Sequence, residues 1–162
     1  MDRREVAESM KALVVYDSRF GNTEKIAMAI GKALSGEVRV VRSKEVDFDE
    51  IRSLDLLIAG SPTWGGRPST EMRTFLNRIP KNALNDIQVA SFDTRDTSVL
   101  TKVFGKAAPR IAACLKDKGG NLVAPPEGFT VKGLQGPLEE GALERATLFA
   151  ERIAAGVQKC KT

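Results

Sequence analysis

The sequence predicts an α/β fold: a doubly wound, open five-stranded parallel sheet with helices on both faces. Three observations carry this. Short apolar, β-prone runs alternate along the chain with stretches whose apolar residues recur at helical spacing, the mark of successive strand–helix units. Two of the runs, Leu13-Val14-Val15-Tyr16 and Leu56-Leu57-Ile58-Ala59, lack polar alternation, as strands covered on both sides do. At 162 residues and 42% hydrophobic content, the chain has enough apolar surface for one compact domain over 1–162.

The elements follow in order. Residues 1–10 read as a charged lead-in, and strand one follows at about 11–17. In helix one, about 22–35, Ile26, Ala29, Ile30, Ala33 and Leu34 share a face and Gly36 ends the run. Glu37–Arg42 alternates with period two at first, as an edge strand would, and Asp47-Phe48-Asp49-Glu50 reads as a capped short helix. Strand three is Asp55–Gly60; Met72, Phe75, Leu76 and Ile79 then define a helix face. Strand four, Ile87–Phe92, leads into a polar loop at 93–97. The stripe Leu100, Val103, Phe104, Ala107, Ile111, Leu115 is helical, with Pro109 expected to kink or restart it. Strand five is Asn121–Ala124, which Pro125-Pro126 leads out of toward Phe129–Lys132. A last helix spans about 139–156 with Leu143, Ala146, Ala150, Ile153 and Val157 inward, before a basic tail at 157–162.

The composition narrows the chemistry. The chain contains no histidine, which removes the commonest general base and His-based metal sites, and no catalytic residue or metal ligand is assigned. Cys114 and Cys160 form no metal-spaced pair; Cys114 lies on a helix face beside Ile111 and Leu115, and Cys160 sits in the tail. No signal peptide or membrane-length apolar run is visible, so reduced thiols and a cytoplasmic location are expected, with no membrane insertion. The net charge of +4 is not gathered into a Lys/Arg block of the kind nucleic-acid binders carry.

In an open parallel sheet, ligands bind beyond the C-terminal strand ends. Three loops gather there. The first, Ser18-Arg19-Phe20-Gly21-Asn22-Thr23, turns a buried strand straight into a helix. Unpaired amides and the positive end of the helix dipole suit a phosphate, and the hydroxyls and the amide side chain add uncharged donors. The same junction also forms with no ligand, with Asn22 or Thr23 capping the helix. The second loop, 60–68, holds Trp64, the chain's single tryptophan, between Pro62-Thr63 and Gly65-Gly66. A ring there can stack on a planar ligand or fold back as a plug. The third loop is 91–97.

Together these loops resemble the flavodoxin family over about Lys11–Ala155. Ser18–Thr23 is similar to its FMN-phosphate loop, Thr/Ser-x-Thr-Gly-Asn/x-Thr, and Pro62-Thr63-Trp64-Gly65 to its second flavin loop, Ser-Thr-Trp-Gly. Lys132–Gly141 resembles the family's approach to the last helix. The resemblance implies the short-chain type, the family's own strand order 2-1-3-4-5, and FMN at the strand-one/strand-three switch point. It assigns Ser18, Arg19, Phe20, Gly21, Asn22 and Thr23 to the phosphate loop and Pro62, Thr63, Trp64, Gly65 and Gly66 to the isoalloxazine. Phe92, Asp93, Thr94 and Arg95 fall at the ring's pyrimidine edge.

Departures from the pattern are as informative. Phe20 replaces a small hydroxyl residue, Gly66 and Arg67 replace acids, and the third loop has no tyrosine. The chain is basic, with a pI of about 9.2, where flavodoxins are typically acidic. A cation beside a flavin favours its reduced, more negative form, a role open to Arg67 or Arg95 unless both point into solvent. The resemblance implies an FMN electron carrier shuttling between redox partner proteins, here acidic ones, as a monomer or weak dimer. The alternative it leaves is an FMN-dependent NAD(P)H:quinone or protoporphyrinogen-type oxidoreductase; a module that keeps the fold without flavin turnover is a third.

Overall fold

The computed structural model describes residues 10–97, 101 and 105–161, the side chains of 160 and 161 excepted. The expected lead-in up to residue 9, the stripe residues Leu100, Val103 and Phe104, and the side chain of Cys160 lie outside the described residues. β1 (Lys11–Tyr16) leads into α1 (Asn22–Ala33). Then come β2 (Glu37–Arg42), β3 (Leu56–Pro62), α2 (Thr70–Arg78) and β4 (Gln88–Arg95). α3 (Ala107–Asp117), β5 (Asn121–Leu122), β6 (Glu127–Thr130) and α4 (Ala142–Lys161) complete the described chain. The capped short helix after β2 is a 3-10 segment, Phe48–Ser53, at whose start the Asp47 carboxylate accepts the Asp49 N–H.

The sheet runs β2-β1-β3-β4-β5 with parallel pairings throughout, the expected order. The register sets Tyr16 beside Arg42 on one side and Gly60 on the other, so the strand ends that matter for function lie level. The fifth position is filled by two pieces. β5 pairs with Gln88–Val89 of β4, and β6 with Phe92–Arg95 farther along the same strand. Pro125 and Pro126 fall between them; with no N–H to give the ladder, they interrupt the edge strand rather than end it.

β4 departs from expectation in the other direction. It continues through Asp93, Thr94 and Arg95, where a loop was expected, because β3 and β6 flank this stretch and take up its backbone groups. Pro109 stands third in α3, where a missing N–H breaks no intrahelical bond; the helix restarts at Ala107. In α4 the inward face is carried by Ala142, Ala146, Phe149, Ala150, Ile153 and Val157, and Leu143 is exposed. Helical spacing alone could not decide whether Ala142 or Leu143 starts that stripe.

Two apolar layers hold the sheet. α1 and α4 cover one face, Ile26, Ile30, Phe149 and Ile153 packing on Val14, Ile58 and Phe92. α2 and α3 cover the other, Met72, Phe75, Ile111 and Leu115 packing on Leu13, Val15, Leu57 and Val89. Gly60 is required by this packing: an added Cβ would sit 2.0 Å from the Phe92 ring, which is fully buried and has nowhere to move. Gly60→Ala should therefore cost about 1–3 kcal/mol or more of overpacking strain, read as a lowered urea midpoint with an unchanged m-value. An unchanged midpoint would show that the layer yields.

Candidate functional site

The C-terminal ends of β1, β3 and β4 converge as the parallel order requires, and the start of α1 stands between them. Gly21 is the N-cap of α1 with φ of 93°, a left-handed conformation that glycine adopts without strain. No side chain caps this helix. Asn22 and Thr23, the expected alternatives for that role, are buried and used elsewhere. The Asn22 amide donates to the Gln135 carbonyl at 3.0 Å, and the Thr23 and Thr94 hydroxyls share a hydrogen bond of 2.8 Å. The Ser18 hydroxyl oxygen accepts the Gly21 N–H at 3.1 Å, which folds the loop back on itself. The first-turn amides of α1 have no intrahelical acceptor and, among the described residues, no capping group, while an added Cβ at Gly21 would meet nothing within 4 Å.

A second set of contacts braces this loop from outside. The Arg42 guanidinium donates to the Ser18 carbonyl at 3.2 Å and to Glu24 at 3.0 Å. The Tyr16 hydroxyl donates to the same Glu24 oxygen at 2.7 Å. Sequence reasoning missed this cluster, because it needs the β1–β2 register that sets Tyr16 beside Arg42.

The second loop is a tight hairpin. Trp64 and Arg67 exchange backbone hydrogen bonds of 2.9 and 3.0 Å across Gly65 and Gly66, both at positive φ. The Trp64 ring lines a cleft of about 530 Å³ together with Arg19, Phe20, Thr63, Gly65, Asp96 and Leu134. A narrower crevice continues toward Ser18, Asn22, Thr23, Pro62, Thr94, Arg95, Val131 and Gly133. Gly66 is buried in the hairpin and lines neither space. The Arg19 guanidinium carbon lies 5.3 Å from the Trp64 ring centroid and 5.5 Å from that of Phe20, so the aromatic pair holds a cation.

The third group divides. Thr94 and Arg95 line the crevice; the side chains of Phe92 and Asp93 do not. Phe92 is turned into the core, edge-on to Phe129 at 6.3 Å. Asp93, also fully buried, accepts from Arg95 Nε at 2.6 Å, from Arg95 Nη2 at 2.8 Å and from the Ala108 N–H at 2.8 Å. Thr63, just past β3, likewise accepts the Ala107 N–H at 2.9 Å, so it and Asp93 of β4 together cap α3. Arg95 is thus tied to a carboxylate, and Arg67 lines a separate cleft with Arg73 and Arg110. The cation stacked on the cleft's aromatic rings is Arg19. Asp96, Val131, Gly133 and Leu134 were not assigned to the site, although Asp96 falls in the expected 91–97 loop and Gly133 and Leu134 in the 132–141 stretch.

Uncapped amides in a concave turn, uncharged hydroxyls beside them and an indole face at the cleft's edge suit a phosphate monoester carrying a flat ring. The flavodoxin family profile matches residues 14–147. The chain belongs to the flavodoxin family. A flavodoxin of Bacillus subtilis, "Probable flavodoxin 2", is 28% identical over 91% of this chain and 99% of its own. "Probable flavodoxin 1" of the same organism is 33% identical over 92 residues, 54% of this chain and 58% of its own length. Among solved structures, oxidised flavodoxin 2 from Bacillus cereus superposes with a TM-score of 0.76 at 30% identity, covering 90% of this chain and 98% of that one. Flavodoxins bind FMN and transfer electrons to partner proteins, and this chain is an FMN-binding electron-transfer protein of that family. No helix among the described residues is long and apolar enough to cross a membrane, and no three metal-ligating side chains cluster there.

The loop brace has a pH signature. Burial, the hydrogen bond to Glu24 and the Glu24 charge together push the Tyr16 phenol from 10 up to about 12. The unfolded chain therefore gives up this proton first. Its contribution to stability is whole below pH 10 and is lost as pH rises toward 12. Urea midpoints of the wild type should fall more steeply over that window than those of Tyr16→Phe, lysine titration being common to both. Parallel slopes would show that the phenol is not held by Glu24.

Proposed function

We propose that the cleft between Gly21 and Trp64 holds the FMN of a protein that shuttles electrons between redox partner proteins, and that those partners present acidic surfaces. The reading rests above all on α1. A helix that starts at a glycine, with no side-chain cap and with Asn22 and Thr23 pinned by Gln135 and Thr94, keeps its first-turn amides aimed into the crevice. A phosphate there completes the helix electrostatically. Ser18 contributes a hydroxyl, and Arg42 keeps the loop's backbone turned through the Ser18 carbonyl. Trp64 offers a flat apolar face, and Gly65 lets the backbone approach the ring, an added Cβ there meeting nothing within 4 Å.

When bound, FMN supplies the ring that accepts and releases electrons. The chain's residues bind, orient and tune it. Arg19 occupies the aromatic slot, so ligand entry moves the guanidinium aside while keeping it near the ring, where its charge favours the reduced form. No proton carrier is required of the protein, in agreement with a chain that has no histidine. The enzyme reading has its own support: Phe20 and Leu134 are exposed at the cleft mouth, where a small flat acceptor could enter. Its mark is rapid reduction of the FMN-loaded protein by NAD(P)H.

FMN titrated into the flavin-free protein should quench Trp64 fluorescence at one equivalent, since the chain has a single tryptophan. Quenching that never saturates would remove the reading. Arg19→Gln should lower the two-electron midpoint potential by roughly 30 mV, the equivalent of about 1.4 kcal/mol. An unmoved or raised potential would take Arg19 out of the tuning role.

A further inference from the structure

We infer that the α2–α3 face, beside the Trp64 hairpin, is the docking surface for the acidic patch of an electron-transfer partner. The inference deepens the electron-carrier reading and rests on it.

The Trp64 hairpin, α2 and α3 carry a local excess of positive charge. Residues 64–81 and 105–118, which supply the hairpin, α2, α3 and their flanks, hold eight lysines and arginines against Glu71 and Asp117. That is a net of +6 in a chain whose total is +4, so all other residues together sum to −2. α2 and α3 pack side by side on one sheet face, while α1 and α4 cover the other. The excess belongs to the hairpin and these two helices rather than to the whole face, since the acidic stretch 43–54 packs on the same side and α1 and α4 are themselves net positive.

The positive side has a focus. Arg67, Arg73 and Arg110 line a cleft of about 280 Å³ whose floor includes Leu76 and the half-buried Cys114, and no carboxylate lines it. The three arginines are exposed and come from three elements: the hairpin, α2 and α3. Guanidinium groups converging on a shallow recess match carboxylates bidentately, and the recess has the volume for one or two acidic side chains. Its position gives it a function. Arg67 ends the hairpin that Trp64 begins, the two exchanging backbone hydrogen bonds, so the arginine cleft and the flavin cleft share one two-glycine turn as their border. A partner seated on the arginines would lie against the edge of the flavin cleft. A field that draws acidic surfaces to this side orients the encounter before contact. A nucleic acid is the poorer fit, because the recess is compact and no aromatic ring lines it for base stacking.

The test uses the FMN-loaded protein, photoreduced, with the acidic haem domain of cytochrome b5 as electron acceptor and basic cytochrome c for contrast. At low ionic strength the wild type should reduce the acidic acceptor with a rate constant that falls steeply with salt. Charge reversal by R67E/R73E/R110E should slow it by about tenfold or more. The equal reversal K25E/K32E/K159E on the α1–α4 side should leave it within about twofold. In parallel, amide chemical shifts of the flavin-free protein on addition of the acidic domain should move around residues 67, 73 and 110. Positive mapping without FMN binding keeps the docking surface and sinks the electron-carrier reading. The docking inference is overturned if the triple reversal leaves the rate unchanged or both reversals slow it equally. Shifts spread over both faces would overturn it too, as would tight binding of single-stranded DNA at 0.15 M salt that requires the three arginines.

Discussion

One hydroxyl pair ties the site to the sheet. Thr23, at the first turn of α1, and Thr94, near the end of β4, share a buried hydrogen bond of 2.8 Å. It spans β3, which lies between β1 and β4, and so fixes the start of the helix against a strand two positions away. With Thr23 engaged there and Asn22 held by the Gln135 carbonyl, neither side chain turns back to cap the helix. The helix start is left without a side-chain cap beside the crevice that Asn22 and Thr23 line. Burying two polar side chains is tolerated because each finds a partner, and no buried side-chain donor or acceptor among the described residues lacks one.

The remaining parts of the site are held on the same terms, by groups that satisfy one another rather than by surface contacts. Asp93 is fully buried, yet it meets both Arg95 and the Ala108 N–H, so the carboxylate gains charge-assisted bonds that offset its desolvation. It also anchors the start of α3, to which Thr63 adds a second acceptor. The end of β4 therefore does two jobs. It carries Thr94 to the loop that opens α1 on one side of the sheet and fastens α3 on the other. The brace of Tyr16, Glu24 and Arg42 plays the matching part at the β1–β2 end.

The electrostatics of the molecule are layered on this frame. Three arginines from the hairpin, α2 and α3 are gathered round one cleft beside the Trp64 hairpin. The cation within the aromatic slot is Arg19, whereas Arg95 is paired with Asp93 and Arg67 lines a separate cleft. The cations proposed for partner recognition and for cofactor tuning are thus different ones, placed on either side of one hairpin.

By itself the sequence determined the order and type of nearly every element, because continuous apolar runs and helical periodicity are local signals. It also determined the two loops with a composition that no ordinary turn needs: Ser18–Thr23 and Pro62–Gly66. Tertiary structure decided what those signals could not reach. Asp93 looked like a loop residue, since its buried partners, Arg95 and the Ala108 amide, exist only once β4 is flanked by β3 and β6. The pieces of the edge strand joined only through pairing with β4, because a two-proline break reads locally as an ending. Arg19, rather than Arg67 or Arg95, took the aromatic slot because side-chain direction follows from the hairpin and the ion pair, not from distance along the chain. The gathering of Arg67, Arg73 and Arg110 round one cleft likewise needed the fold, as residues 64–81 and 105–118 become neighbours only when α2 and α3 pack together.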